Sequence, residues 1–157
     1  MVDVEKYLQS HDIKYAPHKH PAVFTCDEAE KHCADVPGIP GKNLFLKNKG
    51  GKRYFLVVLP ASKRADLKKI AKIVGESKVS FANSEALKEK LDLEPGSVSP
   101  FGLLNDVQHE VEVYIDKDIY DANIVNFHPK RNTASLELTG EMFRKYLKTI
   151  ENKVQII

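Results

Sequence analysis

The sequence predicts a mixed α/β domain with a mostly antiparallel central sheet surrounded by helices, and three observations carry that class. Two nearly continuous apolar runs, Leu44–Leu46 and Phe55–Leu59, flank the Gly50-Gly51 pair, as expected of a hairpin covered on both faces. Val111-Glu112-Val113-Tyr114-Ile115 alternates as a strand does. Asp66–Gly75 and Ser84–Leu91 carry apolar residues at helical spacing behind capping residues. With 157 residues, 42% of them hydrophobic, the chain is most simply one domain over 1–157 with a single well-buried core.

Each element follows in order. Val4, Tyr7 and Leu8 predict a helix over residues 2–10, ended by Ser10-His11-Asp12. Ile13 and Tyr15 predict a short strand, broken at Pro17 and leading into His18-Lys19-His20-Pro21. Thr25 with Glu28 forms a capping box ahead of a helix from Cys26 to Ala34. Val36–Gly41 contains two prolines and reads as a stiff loop that delivers the chain to Lys42. Residues 42–48 and 53–59 form the hairpin, which Pro60 ends.

Leu67, Ile70, Ala71 and Val74 share one face of the next helix, and Gly75 stops it. Lys78–Ala82 is a short strand, and Ser84 caps a helix that turns Leu87 and Leu91 inward. Glu94–Gly102 is too rich in Gly, Ser and Pro for a helix or central strand and reads as a loop. After the strand at 111–115, Asp116–Tyr120 is a turn or short helix. Ala122–Phe127 and Thr133–Leu138 are strands separated by His128-Pro129-Lys130-Arg131-Asn132. Gly140–Ile150 closes the domain as a helix with Met142 or Phe143, Tyr146, Leu147 and Ile150 inward.

Charge and cysteines narrow the function. A net charge of +2 does not by itself argue for nucleic acid. Cations do cluster at Lys47, Lys49, Lys52, Arg53 and at Lys63, Arg64, Lys68, Lys69, Lys72. They read either as solvated faces with snorkelling stems or as a shallow basic surface for a phosphate backbone. Cys26 and Cys33 on one helix would stand roughly 10 Å apart, too far for a disulfide. Their spacing is also a poor zinc pattern, so neither metal nor cofactor is expected. The chain shows no signal peptide and no 18-residue apolar run, which predicts a soluble cytoplasmic protein without membrane contact. Nucleophile-elbow, P-loop, dinucleotide and His-Glu-x-x-His motifs are all missing.

Two stretches remain that can carry chemistry. Lys42 opens a buried strand behind a stiff loop, which positions its ammonium; the plain alternative is a capping or surface charge. Gly96-Ser97-Val98-Ser99-Pro100 can bring backbone N–H groups close to a ligand carbonyl, or can be a simple connection. His128 lies between two strands and can join either, or be a turn residue.

These positions are where the chain resembles a known family, the YbaK-like editing domains that also occur inserted in bacterial prolyl-tRNA synthetases. Among them it is most similar to the free-standing alanyl-tRNA(Pro) deacylases, the ProX or PrdX group. The resemblance runs over nearly the whole chain. It rests on His20-Pro21-Ala22-Val23-Phe24-Thr25 with the acidic helix after it, Lys42-Asn43-Leu44-Phe45-Leu46-Lys47, Gly96–Gly102, and Phe127-His128-Pro129 with Asn132-Thr133-Ala134.

That resemblance implies hydrolysis of the ester joining a mischarged amino acid to the 3′ end of tRNA(Pro), without metal or enzyme nucleophile. It makes Lys42 the catalytic residue, with the free 2′-hydroxyl of the terminal adenosine assisting the attacking water. Asn43, Gly96, Ser97, Val98, Ser99, Pro100 and His128 become substrate-binding positions, and Val23, Phe24 and Phe45 candidate walls of an alanine-sized pocket. The implied partners are the tRNA(Pro) acceptor end and prolyl-tRNA synthetase, not DNA. Cysteinyl-tRNA(Pro) editing and a non-catalytic tRNA- or synthetase-binding module are the alternatives.

Overall fold

A computed structural model of the protein describes residues 3–19, 39–94, 98–127 and 134–157. The predicted helix at 26–34 lies outside them. The elements are α1 (Val4–Ser10), β1 (Ala16–Lys19), β2 (Ile39–Asn48), β3 (Tyr54–Pro60), α2 (Leu67–Val74), β4 (Val79–Phe81) and α3 (Ser84–Leu91). A 3-10 helix at Pro100–Asn105 is followed by β5 (Val111–Ile115), α4 (Lys117–Tyr120), β6 (Ile124–Phe127), β7 (Ala134–Thr139), α5 (Gly140–Thr149) and β8 (Val154–Ile156).

One mixed sheet runs β1-β7-β6-β2-β3-β5-β8. The ten-residue β2 is its spine. One edge of β2 pairs antiparallel with β3 through Gly41–Lys47. The other edge takes β6 in parallel near its start and β4 antiparallel near its end. β1–β7 and β6–β7 are also antiparallel, whereas β3–β5 and β5–β8 are parallel. The antiparallel majority predicted from the sequence, four pairings, therefore coexists with three parallel ones, β2–β6, β3–β5 and β5–β8.

Strand alternation divides the apolar residues between two cores. Phe45, Leu56, Val58 and Val113 face the larger one, covered by α1, α3, α4, α5 and the 3-10 helix through Leu8, Leu91, Ile119, Phe143 and Phe101. Leu44, Leu46, Val57 and Leu59 face the smaller one, covered by Ile70, Ala71 and Val74 of α2. Both faces of β2 and β3 are buried, which explains their unbroken apolar runs.

The caps set the helix limits. Asp66 accepts from Lys69 N (3.2 Å) and Gly75 ends α2 at φ 80°. Asn83, one residue earlier than the expected Ser84, caps α3 by accepting from Ala86 N (2.8 Å). Three other expectations change. The first strand begins at Ala16 and runs through Pro17, which is tolerated because β1 is an edge strand paired to β7 alone. Ile39–Gly41 belongs to β2 rather than to a loop, since Ile39 and Pro40 register against Val125 and Asn126 of β6. Pro100–Gly102, read as loop, starts the 3-10 helix, its proline at a position where a missing N–H is harmless.

Arg53 ties three elements together. Its guanidinium makes a forked pair with Glu112 of β5 (2.9 and 2.8 Å) and donates to Glu76 (2.7 Å) and to the Val74 carbonyl at the end of α2 (3.2 Å). This bonding holds the Glu112 carboxyl below its ordinary range despite the opposing effect of burial. A carboxyl depressed in the folded state stabilises above its unfolded pKa of about 4.3, and that stability is lost as pH falls through the lower folded value. Glu112→Gln should thus lower stability at neutral pH by roughly 0.5–1 kcal/mol, since Arg53 is partly exposed, and converge on the wild type in acid. Urea midpoints measured from neutral pH downward check this; a constant gap at all pH values would contradict it.

Candidate active site

β2 delivers Lys42, Asn43 and Phe45, and its alternation separates them. Lys42 shares the α2 side with Leu44 and Leu46, opposite Leu59 in register. It is half-buried, and its Nζ donates to the Lys63 carbonyl just before α2. An ammonium has three donors, so this bond leaves two. Lys63 in turn bonds Asp116 (3.0 Å) and Asp118 (2.9 Å).

Asn43 and Phe45 face the larger core. The Asn43 Oδ1 is buried and accepts no hydrogen bond from the described residues. A buried acceptor left unmade costs ~1–3 kcal/mol, so it is a notable feature beside the lysine. Phe45 is 5% exposed and stacks on Tyr54 with ring centroids 5.5 Å apart.

Of the Gly-x-x-x-Pro stretch, Val98, Ser99 and Pro100 are described. Val98 is half-buried against the larger core. Ser99 is fully buried, and its Oγ accepts from Phe101 N (3.2 Å), so its side chain caps the 3-10 helix. The Pro100 carbonyl accepts from Tyr146 Oη of α5 (2.7 Å). Burial pushes the Tyr146 phenol well above its ordinary pKa, keeping it a neutral donor that fixes this turn. Gly96, Ser97, His128, Val23 and Phe24 lie outside the described residues.

An aromatic path joins the two motifs. Phe127, which ends β6, lies directly against Gly41, leaving no room there for a Cβ. Its ring meets Phe101 edge-on, with centroids 6.4 Å apart, and Phe101 immediately follows Pro100. The strand that carries Lys42 and the turn that carries Ser99-Pro100 are thus connected through two rings. Sequence reasoning singled out neither Phe127 nor Phe101 as a link; Phe127 before His128 and Phe101 after Pro100 were the available signals. Gly41 matters for its lack of a side chain at this contact.

Among the described residues no group of three or more His, Cys, Asp or Glu is arranged to hold a metal. No described helix is long and apolar enough to cross a membrane. An open depression of about 310 Å³ between Lys90, Asp106, Val107 and Glu110 includes none of the candidate site residues.

The fold is shared with a solved candidate trans-editing enzyme for prolyl tRNA synthetase, at TM-score 0.73 and 21% identity over 98% of this chain and 93% of that one. The mixed sheet and its covering helices are thus an arrangement that the two structures have in common. The family model for the aminoacyl-tRNA editing domain matches residues 20–146, and the chain belongs to that family. It is 37% identical over 145 residues to the prolyl-tRNA editing protein ProX of Acetoanaerobium sticklandii, covering 92% of this chain and 88% of that protein. It is 33% identical over 146 residues to prolyl-tRNA synthetase associated domain-containing protein 1 of Xenopus laevis, covering 90% and 86%.

Proposed function

We propose that the chain, acting over 1–157 as one domain, is a trans-editing hydrolase that removes alanine from mischarged tRNA(Pro). The observation that carries this reading is the contact path from Gly41 through Phe127 and Phe101 to Pro100, in a member of the editing family. It ties the lysine strand to the turn that the resemblance makes the two halves of the site.

In this reading water adds to the ester carbonyl and the bond to the ribose 3′ oxygen breaks. That oxygen takes a proton, so the products are free alanine and tRNA with its 3′-hydroxyl restored. The terminal 2′-hydroxyl helps to orient the water. Lys42 supplies a compact charge with two donors beyond its bond to Lys63, suited to a terminal phosphate or ribose hydroxyl. Backbone N–H groups of the Gly96–Pro100 turn meet the carbonyl oxygen as it becomes negative. Asn43 brings an acceptor, Oδ1, for a substrate N–H or O–H, and His128 stands next in chain to Phe127. Selection is by size, with Val23, Phe24, Phe45 and Val98 as walls that exclude proline; a small pocket rejects a larger side chain far better than a smaller one.

Similarity to a protein named for prolyl-tRNA editing, and to proteins named for association with prolyl-tRNA synthetase, supports tRNA(Pro) as substrate and that synthetase as partner. Incubating the protein with Ala-, Cys- and Pro-tRNA(Pro) should release alanine fastest and leave Pro-tRNA(Pro) intact. Faster release of cysteine would make it a cysteine editor. Binding without any hydrolysis would leave only a tRNA- or synthetase-binding module.

A further inference from the structure

Charge is unevenly divided along the chain. Residues 42–78 hold eleven Lys and Arg against two acidic residues, Asp66 and Glu76, although the whole chain carries only +2. The segment is therefore +9 and the remainder −7.

Within the segment, pairing separates structural cations from free ones. Arg53 is bound to Glu76 and Glu112, and Lys63 to Asp116 and Asp118. Asp66 is spent as the cap of α2. Arg64, Lys68, Lys69 and Lys72 are exposed, and among the described residues none has a side-chain hydrogen-bond or ion-pair partner. Lys68, Lys69 and Lys72 form the outer side of α2, with Arg64 just ahead of its cap, and the inner side, Ile70, Ala71 and Val74, packs on the smaller core.

This arrangement opposes the helix that carries it. Lys68 and Lys72 are four residues apart and Lys69 and Lys72 three, so like charges are neighbours. Lys68 and Lys69 also crowd the positive N-terminal end, where α2 has no acidic residue in its first turn. A polyanion laid along α2 would relieve both repulsions. The bond from Lys42 to the Lys63 carbonyl places the start of this row, at Arg64, next in chain to the residue that holds the candidate catalytic lysine.

We propose that the outer face of α2, Lys68, Lys69 and Lys72, together with Arg64 ahead of it, is the track for the phosphate backbone of the tRNA acceptor arm, leading its 3′ end to Lys42. This rests on the reading of the chain as a tRNA editing enzyme. Spaced ammonium groups suit a phosphate row: they neutralise it without reading bases, and release its counterions.

The test is binding of uncharged tRNA across a salt series, which needs no hydrolysis. Lys68→Gln/Lys69→Gln/Lys72→Gln is compared with Lys6→Gln/Lys145→Gln/Lys148→Gln, an equal charge loss on α1 and α5 across the sheet. The α2 variant should weaken binding at least about tenfold and flatten the log–log salt dependence by roughly 2–3, while the control stays near wild type. Equal loss in both variants, or none in the α2 variant, overturns the track. Should the triple variant fail to fold, Lys68→Glu, which gains a favourable pair with Lys72, replaces it; unchanged affinity there overturns the track too. A wild-type protein that binds tRNA through α2 yet cleaves no aminoacyl ester would sink the proposed function and leave this surface standing.

Discussion

Lys42→Ala is expected to lower kcat/KM for Ala-tRNA(Pro) by at least ~10²–10³, the loss typical of removing one donor aimed at charge that develops in the transition state. Folding should survive. The side chain is half-buried and, among the described residues, hydrogen-bonds the Lys63 carbonyl alone, so stability should fall by about 1 kcal/mol. How the loss divides locates the ammonium. A raised KM with intact kcat means that it holds the tRNA end equally in ground and transition states; a lowered kcat means that it meets the reacting ester. Single-turnover deacylation with circular dichroism as the fold control makes the measurement. Wild-type-like turnover by Lys42→Ala would end the assignment.

The sequence shows why this residue stands out, and also where reading it falls short. Apolar runs, caps and stops are local, so β2, β3, α2, β5 and α5 could be read from the chain directly. What went unread depends on partners distant in sequence. Ile39-Pro40-Gly41 looks like a loop, and becomes strand because Gly41 pairs with Pro60 of β3 and because β6, more than eighty residues later, lies beside Ile39 and Pro40. Val154–Ile156 is three residues long, too short for a periodic signal, and is ordered as β8 by β5. Asp106 and Asn152, which bond each other (2.9 Å), anchor the chain just ahead of that strand.

The candidate site divides in the same way. Lys42 and the Gly-x-x-x-Pro turn were legible as residue types. Their connection through Phe127 and Phe101 was not, because ring contacts across β6 and the 3-10 helix leave no spacing rule in the sequence. Alternation, by contrast, was available in the sequence: adjacent residues on a strand face opposite ways, so Lys42 and Asn43 can serve one substrate only from two sides of the sheet end.

Gly140→Ala should have the largest effect on stability. Gly140 opens α5, and its N–H donates to the Asn123 carbonyl (2.7 Å). A Cβ there would press inside the van der Waals shell of the Ala122 carbonyl oxygen and stand 2.9 Å from Arg144 Nη1. Neither neighbour can easily give way: Ala122 is backbone, and Arg144 is held by its bond to the Tyr120 carbonyl (2.7 Å). Relief would require α5 and the α4–β6 connection to separate, at a cost of about 3 kcal/mol or more, the upper range for overpacking. For a chain of this length that shifts the midpoint of thermal unfolding down by roughly 6–12 °C. A melt within about 1 °C of wild type would refute the contact. The two substitutions should therefore fail in opposite ways. Lys42→Ala should lose deacylation while its melting temperature falls by only about 2–4 °C, whereas Gly140→Ala should retain turnover in the cold and lose it on warming. It should do so because β6, which α5 supports through this contact, carries the Phe127 ring that joins the lysine strand to the proline turn.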